Sequence, residues 1–203
     1  MKLSLVLKAV VAAAAVVCLP GVAASGSGAG VSMVVGKLTS QPIGHYEFCK
    51  LNRAECSQRL PSAPPRKLTP ERWAEIERVN TSVNARITPK RDKLIYGREE
   101  VWTYPVTEGD CEDFALLKRR ELAAKGFSLS NLLLTVVRKP DGEGHAILTV
   151  RTADGDFVLD NLDPKVRRWN ETGYVYVKRQ SSRDTGRWLS IESRGDMLVG
   201  SVR

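Results

Sequence analysis

The chain has 203 residues, of which 31 are lysine or arginine and 23 are aspartate or glutamate, so its formal charge at neutral pH is +8. The basic residues lie among acidic ones, form only short clusters and lack interleaved aromatic side chains, so we expect no nucleic-acid partner. The excess charge instead predicts solvated faces, or a weak attraction to an anionic surface or an acidic substrate.

The first residues have the pattern of an export signal. A basic start that includes Lys2 is followed by an apolar run over residues 9–19 and by small residues up to Ala24. This pattern predicts a signal peptide over residues 1–24, cleaved near Ala24. The run is shorter than the roughly 20 apolar residues that span a bilayer. An uncleaved N-terminal anchor is the alternative.

The rest of the chain has the size of one domain. Fewer than 180 residues remain after the signal, enough to bury a core of their own. Residues 25–44 are rich in glycine, serine and valine, which predicts a flexible lead-in. Residues 45–203 are the predicted domain.

Three cysteines follow the signal: Cys49, Cys56 and Cys111. In an exported chain two of them can pair, which leaves one over. Because Cys49 and Cys56 are close in sequence, we expect them to form a disulfide that closes a loop of about eight residues. Two free, buried thiols are the alternative.

Two helices are predicted in the first half of the domain. Thr69, Pro70 and Glu71 form a helix start, with a capping hydroxyl, a proline at the first helical position and an acid near the positive end of the dipole. The apolar residues that follow at spacings of three and four are Trp73, Ile76, Val79, Val83 and Ile87. A second helix is predicted to begin near Gly109 and to end at Gly126, with Phe114, Leu117 and Leu122 facing inward.

The second half of the domain has the alternation and turn signals of strands. They are predicted over residues 132–138, 145–151, 157–160, 174–178 and 188–191. Helices that precede an antiparallel sheet indicate an α+β fold.

Cys111 lies at the predicted first turn of the second helix. Unpaired backbone N–H groups and the helix dipole favour a thiolate there, and the thiolate is the nucleophilic form of cysteine. The alternative is a buried, inert thiol. The acidic neighbours Asp110, Glu112 and Asp113 make an apolar setting implausible.

His145 and Asp160 are the candidate partners of this thiol. His145 opens a predicted strand, and Asp160 directly follows the apolar core of the next one. A carboxylate in that position can orient the imidazole toward a thiol. However, a four-residue loop at residues 153–156 would place Asp160 opposite Thr149, about 13 Å from His145. A triad therefore requires a turn centred nearer Thr152 and Ala153, or a bulge in the second strand.

Several segments resemble the bacterial transglutaminase-like cysteine peptidases, which include periplasmic proteases that release large surface adhesins. The matching segments are residues 48–56, Trp102, the Gly-Asp-Cys-Glu-Asp-Phe block at 109–114, residues 145–148 and residues 158–161. The resemblance implies a papain/transglutaminase-like fold with N-terminal helices packed on an antiparallel sheet. It also implies Cys111 as nucleophile, His145 as general base and then acid, and Asp160 as the orienting carboxylate.

The acidic block poses an electrostatic problem for the nucleophile. Nearby negative charge raises the pKa of a thiol, and a bound cation would reverse that effect. Carboxylate oxygens suit Ca²⁺, and the resemblance to adhesin-releasing members, which use calcium here, implies a site at Asp110, Glu112 and Asp113. Carboxylates that only cap the helix N-terminus are the alternative.

These observations predict an exported, periplasmic cysteine peptidase that cleaves a protein by thiolate acyl transfer. The resemblance implies a large surface adhesin as substrate and an inner-membrane receptor as regulator. A transglutaminase that forms isopeptide bonds would use the same three residues. A non-catalytic binding module of the envelope is a further alternative, against which the intact Cys-His-Asp set argues.

Overall fold

The computed structural model describes residues 32–61 and 63–192. The predicted signal peptide and residues 25–31 of the lead-in lie outside these residues. The helices are α1 Ile43–Leu51, α2 Arg53–Cys56, α3 Pro70–Arg86, α4 Asp92–Tyr96 and α5 Cys111–Ala124. The strands are β1 Val35–Thr39, β2 Thr88–Pro89, β3 Glu108–Gly109, β4 Leu132–Arg138, β5 Gly144–Thr152, β6 Gly155–Leu159, β7 Arg167–Arg168, β8 Val175–Gln180 and β9 Trp188–Ile191. Among the described helices, none has the length and apolar character needed to cross a bilayer.

A seven-stranded sheet in the order β1-β9-β8-β4-β5-β6-β7 forms the centre of the fold, and all its neighbours are antiparallel. The helix α5 packs on β4 and β5, and α3 packs on α5. This arrangement confirms the predicted α+β class and the predicted sheet.

The sheet buries a different cluster on each face, because successive side chains of a strand point in opposite directions. One cluster joins the sheet to the helices, and its strand residues include Leu132, Leu134, Leu148, Val150 and Leu159. The smaller cluster on the alternate positions comprises Met33, Val137, Ile147, Val158, Tyr176 and Ile191.

The helix α3 begins as its sequence predicts. The Thr69 hydroxyl accepts a hydrogen bond from the Arg72 N–H at 3.3 Å, and Pro70 is the first helical residue. The buried residues of the helix are Ile76, Val79, Asn80 and Val83, so one polar residue lies within the apolar face.

The predicted lead-in over residues 25–44 is wrong from Val35 onward. The strand β1 pairs with β9, with Leu38 opposite Leu189, and α1 begins at Ile43. Most of β1 is exposed at the edge of the sheet, so it lacks the apolar alternation that would have revealed it. Its partner strand lies near the opposite end of the described chain, which no local pattern can indicate.

The predicted disulfide between Cys49 and Cys56 is confirmed, with an S–S distance of 2.07 Å. It joins α1 to α2, a pair of short helices that no pattern in the sequence predicts. Within the described residues Cys111 is the free cysteine.

Thiol counting tests this pairing. A chain that lacks residues 1–24, and therefore Cys18, should yield one reactive thiol in denaturant before reduction and three after it. Three thiols before reduction would refute the disulfide, and none would mean that Cys111 is itself oxidised.

The turn between β5 and β6 places Asp160 within reach of His145. Thr152 pairs with Gly155, whose φ is +124°, so two residues form the turn and Leu159 lies opposite Leu148. Continuing this register puts Asp160 opposite Ile147, on the same face as His145 and two positions away. The turn is therefore centred one residue earlier than in the four-residue loop considered from the sequence, and a cross-strand diagonal of this kind is within the reach of long side chains.

Candidate active site

Cys111 is the first residue of α5, and two contacts fix its sulfur. Sγ accepts a hydrogen bond from the Ala146 N–H at 3.4 Å, which holds it against β5 beside His145. The thiol donates to Oε2 of Glu112 at 3.2 Å. Gly109 lets the backbone pass close to the Asp113 side chain just before the helix begins. A Cβ at this position would lie 2.7 Å from Oδ2 of Asp113.

His145 and Asp160 form a buried pair. Nε2 of His145 lies 2.8 Å from Oδ1 of Asp160, which leaves Nδ1 as the ring nitrogen available to another group. Asp160 also accepts hydrogen bonds from the Leu162 N–H at 2.9 Å and the Tyr174 hydroxyl at 2.7 Å. Burial alone would raise the pKa of Asp160, but the bonds from His145, Leu162 and Tyr174 together hold it below its usual value.

The carboxylate Asp160 is also fixed through its main chain. The Asn84 side-chain amide donates to the Asp160 carbonyl at 2.8 Å, and the Asn80 amide donates to the Pro164 carbonyl at 3.1 Å. Both asparagines belong to α3. The helix therefore holds the segment that follows β6 through these two hydrogen bonds, which restrict the movement of Asp160.

Burial and acidic neighbours disfavour ionisation around the thiol. Burial, followed by the charge of Glu112, raises the pKa of Cys111 well above its usual value. Burial and the neighbouring Asp110 carboxylate raise the pKa of Glu112 to about 10. Both shifts oppose ionisation, so these surroundings favour the protonated forms of the thiol and of the Glu112 carboxyl.

Three aspartates form a compact acidic cluster beside the thiol. Asp92, Asp110 and Asp113 each bring a potential ligand atom to within 4.8 Å of the other two. One oxygen of each is held by a backbone N–H: Asp92 by Val101, Asp110 by Asp92 at 3.3 Å, and Asp113 by Thr103 at 2.8 Å. The other oxygen of each, Oδ1 of Asp92, Oδ1 of Asp110 and Oδ2 of Asp113, is buried without a hydrogen-bond partner.

Burial and mutual repulsion both raise the pKa of Asp92 and of Asp113 in this cluster. Burial raises the pKa of Asp92 to about 6 and that of Asp113 to about 8, the Val101 and Thr103 N–H groups oppose these shifts, and the Asp110 charge adds to both. Unpartnered buried carboxylate oxygens are costly unless a cation or a proton occupies them. The donor set therefore fits a hard divalent cation.

A sequence model of the bacterial transglutaminase-like cysteine proteinases matches residues 35–196. The chain belongs to this family. No curated protein is significantly similar to the chain. Among solved structures, calcium-bound LapG of Legionella pneumophila is 25% identical, with a TM-score of 0.50, over 63% of this chain and 75% of that one.

Two further structures of Legionella pneumophila LapG share the fold. One is 22% identical with a TM-score of 0.51, covering 79% of this chain and 86% of that one. The other, treated with EGTA, is 21% identical with a TM-score of 0.51, covering 78% of this chain and 87% of that one. The transglutaminase-like fold that the sequence predicted is therefore confirmed.

The predicted site residues of this cysteine proteinase fall into two groups. Cys111 reaches β5 next to His145, which is bonded to Asp160. Asp110 and Asp113 lie in the acidic cluster, whereas Glu112 turns to the thiol and is not one of the three clustered residues. The cluster that the fold forms thus differs from the predicted metal set by one residue, with Asp92 in the place of Glu112.

Sequence reasoning missed the residues that support these groups. Asp92 lies in a short stretch of mixed charge without periodicity, so nothing local marks it. Tyr174 was placed only as the start of a strand. Asn80 could have been found, because it is four residues after Ile76 on the apolar face of α3, and a buried asparagine needs hydrogen-bond partners.

Proposed function

We propose that this chain is an exported cysteine endopeptidase with Cys111 as nucleophile, His145 as general base and acid, and Asp160 as the orienting carboxylate. The contact of the Cys111 sulfur with the Ala146 N–H carries the proposal, because it brings the free thiol to the residue next to His145. Membership of the cysteine proteinase family supports the same assignment.

The proposed reaction is an acyl transfer in two halves. The Cys111 thiol gives its proton to Nδ1 of His145, and the thiolate attacks the carbonyl carbon of the peptide bond. His145 returns the proton to the leaving amine as the C–N bond breaks, which leaves a thioester on Cys111. A water molecule, deprotonated by His145, then attacks the thioester and releases the carboxylate product and the thiol.

Asp160 acts on this reaction through the imidazole. Its bond to Nε2 fixes the tautomer in which Nδ1 can accept the thiol proton, and its charge stabilises the imidazolium that forms. Backbone N–H groups in the first turn of α5, including that of Cys111, have no partner within the helix and can bind the oxyanion of the tetrahedral intermediate.

We further propose that Asp92, Asp110 and Asp113 hold Ca²⁺. Their three unpartnered oxygens support this assignment, as does the calcium-bound form of LapG. When bound, the cation supplies positive charge that offsets the carboxylates beside the thiol and favours the thiolate. Calcium binding would also fix Asp110, the residue before Cys111, and Asp113, which lies in the first turn of α5.

The location and partners of the enzyme are part of the proposal. The export pattern at the N-terminus and the family resemblance support a periplasmic enzyme. The same resemblance supports a large surface adhesin as the substrate and an inner-membrane receptor as the regulator. A protein substrate itself follows from the peptidase family.

Product analysis distinguishes the peptidase from a transglutaminase. With a glutamine-containing protein substrate and excess lysine donor in ¹⁸O water, we expect new peptide termini that carry ¹⁸O in the released carboxylate. An isopeptide-linked product without new termini would establish transamidation instead. Neither product, under conditions in which Cys111 is reduced and calcium is present, would favour the non-catalytic binding module.

Tyr174→Phe should slow the reaction about tenfold by removing one of the bonds that keep Asp160 ionised and oriented, since a hydrogen bond to a charged group contributes about 1.5–3 kcal/mol. Steady-state kinetics should show the loss mainly in kcat. Tyr176→Phe is the matched control, because that hydroxyl contacts Thr172 at 3.1 Å rather than Asp160. Equal losses in the two variants would contradict the role of Tyr174.

A further inference from the structure

A cavity lined by basic residues lies at the C-terminal end of α5. Its volume is about 540 Å³, and its walls come from residues 63–69 before α3, residues 126–131 between α5 and β4, and the end of β5. Of the described residues that line it, none carries a carboxylate. The lining residues that carry a positive charge are Arg66, Lys67, Arg72 and Arg151.

Hydrogen bonds and packing hold the walls of this cavity together. The Ala153 N–H donates to the Arg66 carbonyl at 3.1 Å, which ties the segment before α3 to the β5–β6 turn. The Arg72 guanidinium lies 3.7 Å from the centroid of the Phe127 ring and donates to the Lys125 carbonyl at 2.8 Å. These two contacts tie the start of α3 to the end of α5. The cavity is therefore bounded by elements that are bonded to one another.

Most of the positive charge in the cavity has no anionic partner. Arg72 is the exception, because Oε2 of Glu75 lies 2.7 Å from its guanidinium. Within the described part of the chain, the side chains of Arg66 and Lys67 form no hydrogen bond or ion pair. Arg151 contacts only neutral oxygens, at 3.4 and 3.5 Å. An anionic ligand would supply the charge that these side chains lack.

The size and walls of the cavity favour a segment of protein over a single anion. A water molecule occupies about 30 Å³, so a lone phosphate would leave most of the cavity unfilled. Leu68 and Phe127 provide apolar walls that pack against the core of the domain. A short segment that carries both acidic and aliphatic side chains would match the cations and these walls together.

A lipid surface matches the cavity less well. Anionic headgroups could pair with Arg66 and Lys67, which are exposed. However, the acyl chains lie within the bilayer and would not reach Leu68 and Phe127, which are half-buried. The apolar walls would then have no partner, whereas the aliphatic side chains of a bound protein segment could contact them.

The cavity lies about 20 Å from the nucleophile. Cys111 begins α5, and the 14 residues of this helix extend for about 20 Å before the chain reaches Gly126. On β5, Val150 lies five positions after His145, which corresponds to about 17 Å. An extended chain covers at most about 3.3–3.6 Å per residue, so about six residues are needed to bridge the two places.

We propose that this basic cavity is an exosite that binds an acidic stretch of the protein substrate, at least about six residues away from the bond that is cleaved. The inference rests on the proposed function and adds a class of substrate to it, namely proteins in which acidic and aliphatic side chains are interspersed. An exosite contributes binding that is equal in the ground state and the transition state. It should therefore lower KM and leave kcat unchanged.

Binding of a labelled peptide to calcium-loaded Cys111→Ala protein tests the inference. A short peptide of alternating glutamate and leucine should bind, and its affinity should fall as the ionic strength rises. The same peptide with glutamine in place of glutamate should bind much more weakly. Arg66→Gln combined with Arg151→Gln should weaken binding of the acidic peptide at least about tenfold. If this double variant does not fold, Arg66→Gln with Lys67→Gln carries the same expectation.

Lys37→Gln is the matched control, because it removes an exposed cation from the edge strand β1 and should leave the affinity unchanged. Equal affinities of the acidic peptide for wild type and the double variant would overturn the inference. Inorganic phosphate and vesicles of phosphatidylglycerol are tested on the same proteins. Binding of either one at the cavity, without binding of the acidic peptide, would overturn the inference as well.

Cleavage kinetics separate a failure of this inference from a failure of the proposed function. On a protein substrate with a glutamate-rich stretch about ten residues from its mapped cleavage site, the double variant with Cys111 present should raise KM about tenfold at constant kcat. Equal wild-type KM values for this substrate and its glutamine counterpart would overturn the exosite but not the peptidase. Binding of the acidic peptide by a wild type that cleaves no peptide bond would overturn the proposed function but not the ligand of the cavity.

Discussion

Cys111→Ala is expected to abolish peptide-bond cleavage, with a loss of at least about 10⁴-fold, because removing the nucleophile of a catalytic set removes most of its rate enhancement. The same variant should unfold at nearly the wild-type temperature. The side chain is only partly buried, and its contacts are a long hydrogen bond from the Ala146 N–H and the bond to Glu112. Cleavage is measured on a protein substrate and unfolding by calorimetry.

Glu112→Gln is the matched control for this experiment, because it alters the residue next to the nucleophile but keeps its shape. The surroundings of Glu112 favour its protonated, neutral form, so the neutral glutamine should preserve most of the activity. Full activity of Cys111→Ala would end the peptidase interpretation. A large drop in its Tm would support a buried, structural thiol instead.

Removal of calcium is expected to have the second large effect. A calcium chelator should lower the activity at least about 100-fold, and calcium should restore it better than magnesium, which requires stricter octahedral geometry and releases its waters reluctantly. Asp113→Asn should reproduce the loss even in excess calcium, since its Oδ2 is one of the three unpartnered oxygens. Asp154→Asn, in the exposed β5–β6 turn, is the matched control and should be fully active.

Wild type and Asp113→Asn should also differ in the pH dependence of their stability. Without calcium, the folded state holds a proton on Asp113 up to a pKa of about 8, whereas the unfolded carboxyl loses it near its ordinary value of 3.8. The folded state thus binds more protons in that range, so wild type loses stability relative to Asp113→Asn as the pH rises from about 4 to about 8.

Calcium should reverse this loss of stability of wild type relative to Asp113→Asn. It binds the ionised carboxylates of the folded state and adds stability to wild type by mass action. The Tm difference between the two proteins could instead be constant at all pH values, with and without calcium. That result would mean that these carboxylates only cap the helix.

Most of the fold could be predicted from local patterns. The helix α3, the start and end of α5 and the strands β4 to β6, β8 and β9 carry apolar periodicity, caps or turn residues of their own. The strand β1 carries none of these, because it is an exposed edge whose pairing with β9 depends on residues about 150 positions away. The short helices α1 and α2 are tied together by the disulfide, and a pair of cysteines does not reveal which backbone lies between them.

The nucleophile and its partners could be proposed from residue type and from where helices and strands begin. The position of Asp160 could not be predicted from spacing alone, because it depends on the length of the β5–β6 loop. Gly155 permits a two-residue turn in place of the four-residue loop. The acidic cluster could be predicted only in part. Asp110 and Asp113 lie at the start of α5, as its N-cap and in its first turn. Asp92 reaches them through the parallel pairing of β2 with β3, a tertiary contact of two residues on each strand.

The most direct test of the triad is covalent labelling of native, calcium-loaded protein with a thiol-directed peptide electrophile, followed by mass mapping. Wild type should be labelled rapidly and at Cys111 alone. His145→Ala and Asp160→Asn should remain folded but react much more slowly, because the thiol then lacks its base or the correct tautomer. No labelling of Cys111 in the native protein, or equal rates in all three proteins, would contradict the account.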